Sequence, residues 1–345
     1  MVATIGPAKH LGALLRAVLV LAACAPLRLA EPLLAQEQLD AWREARRIDA
    51  HAGAVGTLAF SSDGKLLVTG SYDTTVRLWE VTSGKALRAF GGHAHPVSSV
   101  SLSRNGATLA TGTQEPSMRL WRVCDAKLVC GPIVVGELGK LAAQVGLNAD
   151  GRIVASNGDG DEVRLFRASD GGPLGTLRGH KRFVMCLAFS PDGKLLASGA
   201  ADATVRIWSL SDRRALQVLN QHTGRIRTLA FSRDAQVLAS GDEGGTVNIW
   251  QTRDWKPVRK LWYGNPVLDL AFSADGSVLA ICSRSDVVPN ASLRLWRVSD
   301  GKQVQVLMHE LTEAICVAFS PDSKMLAAGC TDGTIRFFTP QPAKP

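Results

Sequence analysis

The sequence predicts an all-β fold: seven small four-stranded antiparallel sheets set around one axis. The stretch "LAFSPDGKLLASGAADATVRIW", ending at Trp208, recurs along the chain. Its copies close at Trp79, Trp121, Phe166, Trp208, Trp250, Trp296 and Phe338, in steps of 42, 45, 42, 42, 46 and 42 residues. A period of that size marks a radial or stacked array. Each copy is made of runs of about five residues, rich in β-branched and aromatic types and split by Gly/Asp/Ser turns, which read as strands. No long helical period competes. A sheet of four short strands cannot bury both faces alone, so neighbouring copies must cover one another.

The elements follow in order within the unit around Trp208. Val184 to Phe189 is the first strand, Ser190-Pro191-Asp192-Gly193 a turn, and Leu195 to Ala200 the second strand. Thr204 to Trp208 is the third, and Ala215 to Leu219, after "SDRR", the fourth. The Asp-Gly pairs at Asp63, Asp150, Asp192 and Asp275 are turn chemistry, since Gly supplies positive φ. After Phe338 only "TPQPAKP" remains, too short and proline-rich for a fourth strand. Upstream of His51, "REARRID" aligns with "KALRAF", the fourth strand before His93. The N-terminal segment is therefore expected to complete the last sheet and close the ring, removing exposed edges. The chain divides into a leader (1–42), the repeat domain (43–338) and a C-terminal tail (339–345).

In the unit closing at Trp208, His180, Ser198, Asp202 and Trp208 stand at the spacings of the WD-repeat family, and the chain resembles that family over roughly residues 45 to 338. The resemblance implies a seven-bladed β-propeller, closed by its N-terminal strand, in which these four side chains form a buried hydrogen-bonded chain. Their chemistry suits it: indole N–H only donates, hydroxyl and imidazole give and take, and carboxylate accepts. Blade one carries His51, Thr69, Asp73 and Trp79; blade two has His93, Thr111, Glu115 and Trp121. Blade five keeps His222, Ser240 and Trp250 but has Gly244 at the acid position. Blades three and six have Leu138 and Tyr263 in place of His, and Asn290 fills the acid position of blade six. Blade seven has Asp332, His309 one residue out of phase, Ala328 for the hydroxyl and Phe338 for Trp. Blades three, six and seven should lean on apolar packing.

The net charge is +8, of which Lys9, Arg16 and Arg28 lie in the leader. The remaining basic residues are scattered, without a run or the aromatic interleaving of a nucleic-acid module, so nucleic-acid binding is not expected. The leader has a basic start followed by an uncharged stretch, Ala17 to Leu27, too short to span a membrane but suited to a secretory signal. Leu21-Ala22-Ala23-Cys24 resembles the lipobox of bacterial lipoproteins. That implies a lipidated Cys24, a tether from residue 25 to about 42, and an exported or cell-envelope protein touching the membrane only through its anchor. The alternatives are ordinary cleavage, for example after Ala35, or a cytoplasmic extension. Cys186, Cys282, Cys316 and Cys330 read as small buried apolar side chains. Cys124 and Cys130 are the sequence-near pair, and whether they bridge in an oxidising compartment turns on a hairpin register that the sequence leaves open.

Motifs for chemistry are missing: there is no phosphate-cradling loop, GxSxG, HExxH or CxxCH, and "HELTE" at His309 to Glu313 lacks a second His. Asn290-Ala291-Ser292 matches a glycosylation sequon that nothing else supports. No catalytic residue, cofactor or metal site is expected. What breaks the repeat is surface. From the end of the first strand to the closing aromatic is 19 residues in six units and 24 in blade six, from Phe272 to Trp296, the excess lying in "SRSDVVPNAS". Beside it, the loops leading into blades four and five carry Lys181, Arg182, Phe183, Met185, Arg225 and Arg227, a basic arc around apolar side chains that suits a protein partner. Trp255 is a secondary contact on the opposite side. The expected function is a non-enzymatic, monomeric interaction scaffold. The alternative is a propeller hydrolase, lactonase- or peptidase-like, or a small-ligand binder using the central channel, for which Glu243, Glu310 and Glu313 are the acids whose convergence matters.

Overall fold

Six of the seven sheets are each built from four consecutive strands, and the seventh joins the two ends of the described chain. The computed structural model describes residues 41–136, 143–158, 160–284, 292–308 and 312–341. Residues 1–40, with Cys24, and Leu138, Asn290, His309 and Glu310 lie outside the described residues. In the seventh sheet Ala314–Phe319, Leu326–Cys330 and Thr334–Pro340 are completed by Trp42–Asp49 as the outer strand. Trp42 lies opposite Pro340 and Asp49 opposite Thr334. The closing strands thus run one residue further upstream and two further downstream than the repeat alone indicates. Gln305 of blade six locks this seam from the side, its amide accepting from the Trp42 backbone N–H at 2.8 Å and donating to the Trp42 carbonyl at 2.7 Å.

The hairpins form where the sequence places Ser-x-Asp-Gly. Ser190 Oγ donates to Asp192 Oδ1 at 2.6 Å, Asp192 accepts the Lys194 amide at 3.1 Å, and Gly193 takes φ 72°. The same bond recurs from Ser61 to Asp63, Ser232 to Asp234, Ser273 to Asp275 and Ser320 to Asp322. A side chain that satisfies the turn's own amides removes the need for longer loops.

Among the described residues the core is not one cluster but seven layers, each between two blades. In one, Cys186, Ile207 and Leu219 of blade four meet Ile226, Leu238 and Trp250 of blade five. Close approach requires glycine in the second strand: a Cβ on Gly199 would stand 2.5 Å from Ile226 Cγ2 and 2.7 Å from Cys186 Sγ. The first strands of adjacent blades touch and wall an axial channel. They are also stitched laterally. Thr57 Oγ1 accepts the Val100 amide at 3.2 Å, and Ser99 Oγ accepts the Val145 amide at 3.1 Å. Cys124 and Cys130 are both free thiols; Cys130 lies opposite Leu120, and Cys124 falls beyond the paired end of the hairpin at Arg122 and Lys127.

Candidate interaction surface

In blades one, four and five the loop that precedes the first strand is fixed by a polar chain beneath it. In blade four Trp208 Nε1 donates to Ser198 Oγ at 2.7 Å, His180 Nε2 lies 2.7 Å from the same oxygen, and His180 Nδ1 lies 3.2 Å from Asp202 Oδ2. Blade one repeats this with Trp79, Thr69, His51 and Asp73 at 2.8, 2.8 and 3.1 Å. One proton order satisfies every group: Nδ1–H donates to the carboxylate and Nε2 accepts from the hydroxyl, which leaves the ring neutral. Burial lowers the His51 and His180 pKa values, with the neighbouring carboxylates opposing. Burial would raise the Asp73 pKa, but the hydroxyl and amide of Thr75, the nearby His51 and the Ala52 amide hold it down at about 2.

Two departures from the pattern work differently from the sequence alignment. In blade five the acid is not missing: Asp242, two residues before Gly244, reaches His222 Nδ1 at 2.7 Å and caps the turn through the Thr246 amide at 2.8 Å. In blade two Glu115 does not join the chain. It pairs with His95 Nε2 at 2.9 Å, and buried His93 Nδ1 has no hydrogen-bond partner among the described residues. Burial first, and then the charge of Arg119, push the His93 pKa down to about 4. In blade six Tyr263 packs on Trp296 with ring centroids 6.2 Å apart and carries the Arg294 guanidinium at 4.4 Å. Trp296 Nε1 has no partner among the described residues, because Ile281 stands opposite Arg294 where blades one to five present a hydroxyl.

Pinned in this way, the blade-four loop projects its side chains outward. The Lys181 amide donates to Asp202 Oδ2 at 2.8 Å and the Phe183 carbonyl accepts the Ala201 amide at 2.8 Å. The Phe183 ring is 45% exposed. Lys181 and Arg182 are exposed and make no ion pair among the described residues. Arg225 and Arg227 share Glu243, at 3.7 and 3.5 Å, so two of the four cations are already partly neutralised. Met185 and Arg227 line the channel cavity of about 710 Å³, with Tyr72, Gln114, Gln144, Leu268 and Ile315. Sequence reading missed Tyr72, whose ring is 48% exposed at this mouth.

It also missed Asp269, in the channel wall. Its Oδ1 accepts from Thr228 Oγ1 of blade five at 3.1 Å and its Oδ2 from the Val317 amide of blade seven at 2.9 Å, joining three blades. Burial pushes its pKa up to about 6 despite these bonds. Glu243 is occupied by the two arginines, and no cluster of His, Cys, Asp and Glu among the described residues could hold a metal ion. Burial raises the thiol pKa of Cys186, Cys282, Cys316 and Cys330, which keeps them as inert packing. Trp255 is half-buried against the layer holding Trp250 rather than a free contact; the exposed indole is Trp262, at 72%.

Residues 143–341, more than half of the chain, match the family described as the IFT122 first beta-propeller, and residues 42–80 and 84–122 match the WD domain, G-beta repeat. The chain belongs to the WD-repeat propellers. Relatives include WD repeat-containing protein 1 of Bos taurus, 37% identical over 75 residues, which are 21% of this chain and 12% of that protein. WD repeat and SOCS box-containing protein 1 of Homo sapiens is 38% identical over 72 residues, 21% of this chain and 15% of the relative. Elongator complex protein 2 of Dictyostelium discoideum is 33% identical over 73 residues, 21% and 8% of the two chains. The matched stretch thus spans a small fraction of each relative's length. WD-repeat propellers serve in general as non-enzymatic scaffolds for protein partners.

Proposed function

We propose that this WD-repeat propeller binds a protein partner through the face over blades four and five, with Phe183 as the apolar anchor and Lys181, Arg182, Arg225 and Arg227 around it. Met185 extends the apolar contact into the channel mouth. The observation that carries this reading is the exposure of Phe183 on a loop already fixed by Asp202 and Ala201, flanked by two cations that make no ion pair among the described residues. A preorganised aromatic with basic neighbours loses little entropy on binding.

The test is a cross-linked pull-down from native extract split into soluble and envelope fractions, comparing the wild type with Arg225→Glu/Arg227→Glu. A stoichiometric partner held by the wild type and lost by the variant supports the reading. Equal capture by both removes this face from it. Tethering to the cell envelope through an acylated Cys24 is the second part of the proposal, supported by the lipobox-like Leu21-Ala22-Ala23-Cys24. Cys24→Ser should change the mature mass by the acyl groups and release the protein from the envelope fraction; an unchanged mass overturns it.

A further inference from the structure

At the opposite end of the channel the first strands finish in a ring of large apolar side chains. Leu102, Leu147, Phe189, Phe231, Phe272 and Phe319 line a cavity of about 350 Å³ there. That is the lower end of the size range of small-molecule sites. Leu147 and Phe189 also line the channel cavity above. Just above the ring the wall is small, with Ser101, Gly146 and Ala188.

The charge at this mouth has one sign. Arg104 and Arg233 are the charged side chains lining it, contributed by the turns of blades two and five. Arg233 lays its guanidinium on the Pro321 carbonyl of blade seven, and Arg104 makes no ion pair among the described residues. The turn acids beside them are engaged locally: Asp234 accepts from Ser232 and the Gln236 amide, Asp322 from Ser320 and the Lys324 amide. Two cations at the rim of an apolar mouth, with no acid in the lining of that mouth, complement a ligand having an apolar tail and one anionic head.

We infer that this lower mouth is a binding site for a medium-chain aliphatic carboxylate, its chain along the channel axis and its head between Arg104 and Arg233. Tail length is limited by the wall itself. Ser101 stands one residue up from Leu102, and three residues up each strand, about 10 Å, the lining is polar at Ser99, Thr228 and Asp269. Each added methylene should tighten binding about fourfold until the tail meets that polar ring, at roughly eight to ten carbons.

The site is separate from the proposed partner face, and either can fail without the other. The experiment is calorimetric titration of the full chain, below micelle-forming concentrations, with hexanoate, octanoate, decanoate and dodecanoate, and with decanol and decylammonium as neutral and cationic controls. One-to-one binding of decanoate, affinity that climbs to about ten carbons and then levels, and at least tenfold weaker binding of both controls are expected. Arg104→Glu/Arg233→Glu, two exposed sites, should weaken decanoate at least tenfold with an unchanged melting curve, whereas Arg225→Glu/Arg227→Glu should leave it unaltered. No decanoate binding, equal binding of decanol, or indifference to the Arg104/Arg233 reversal overturns the inference. Displacement of decanoate by an uncharged apolar peptide in preference to longer carboxylates also overturns it, and assigns the mouth to a protein segment.

Discussion

The Asp269 carboxylate accepts the backbone N–H of Val317, 48 residues away on the next blade, at 2.9 Å. Thr57 and Ser99 make the same stitch between other blades with a neutral hydroxyl. Among the described residues at this level of the first strands, Asp269 is the one that makes the stitch with a carboxylate. With a folded pKa of about 6 against an ordinary value of 3.8, the native state holds this proton more tightly than the unfolded chain does. Stability from this group is therefore fully present below about pH 4 and lost as pH rises through 6, by up to about 3 kcal/mol. Urea unfolding of Asp269→Asn and wild type should show the variant gaining relative to wild type between pH 4.5 and 7.5. A constant difference at the two pH values would contradict this.

His93 should behave with the opposite sign. Its folded pKa of about 4 lies below its ordinary 6.5, so the native state excludes a proton that the unfolded chain takes up. That contribution is complete above pH 6.5 and is lost as pH falls toward 4. His93→Gln should narrow the stability gap between pH 7.5 and 5, measured by urea unfolding, even if the variant is weaker at both.

The two acids at equivalent positions of blades two and four should differ in cost. Asp202 accepts from His180, the Lys181 and Thr204 amides and the Thr204 hydroxyl, and its loss leaves buried donors unpaired. Asp202→Ala should destabilise by about 1 to 3 kcal/mol. Glu115 makes only a half-exposed pair with His95, and Glu115→Ala should cost less than about 1 kcal/mol. Thermal unfolding of both variants side by side decides this.

Gly199→Ala places a methyl within 2.5 Å of Ile226 Cγ2. The expected loss is about 1 to 3 kcal/mol from overpacking. Adding Ile226→Ala, which removes the clashing Cγ2, should cost less than the sum of the two single changes, although Cys186 Sγ still crowds the same methyl at 2.7 Å. Full additivity of the two changes would show that the contact is not shared.

Deleting residues 43–50 bares the edge of Thr334–Pro340, which Trp42–Asp49 covers along its length. An unpaired edge of that kind pairs with other chains. The shortened protein should sediment as aggregate, and a soluble monomer with unaltered melting behaviour would refute the role of the seam.

The ring itself was readable because seven copies in phase leave no other arrangement, and the closing strand because "REARRID" aligned with a fourth strand. Counting positions failed where side chains compete or reach. Asp242 replaces the acid expected at Gly244 from two residues upstream, with Gly244 and Gly245 giving the turn its slack. Glu115 sits where an acid should, but a second histidine, His95, captures it. Neither choice shows in spacing, since both depend on where a loop bends. Asp269 did leave a signal. Three residues before the end of each first strand stand Thr57, Ser99, Gln144, Cys186, Thr228, Asp269 and Cys316, and one acid among neutral residues marks the odd site.

The seam between Trp42–Asp49 and Thr334–Pro340 joins strands about 300 residues apart. On a ribosome adding roughly 5 to 20 residues per second, the first strand must wait for roughly 15 to 60 s before its partner exists. Its sequence suits that delay. Arg43, Glu44, Arg46, Arg47 and Asp49 make it the most highly charged strand of the ring, soluble while unpaired and a poor match for a premature neighbour. The timing of synthesis is thus written into the strand that finishes the circle.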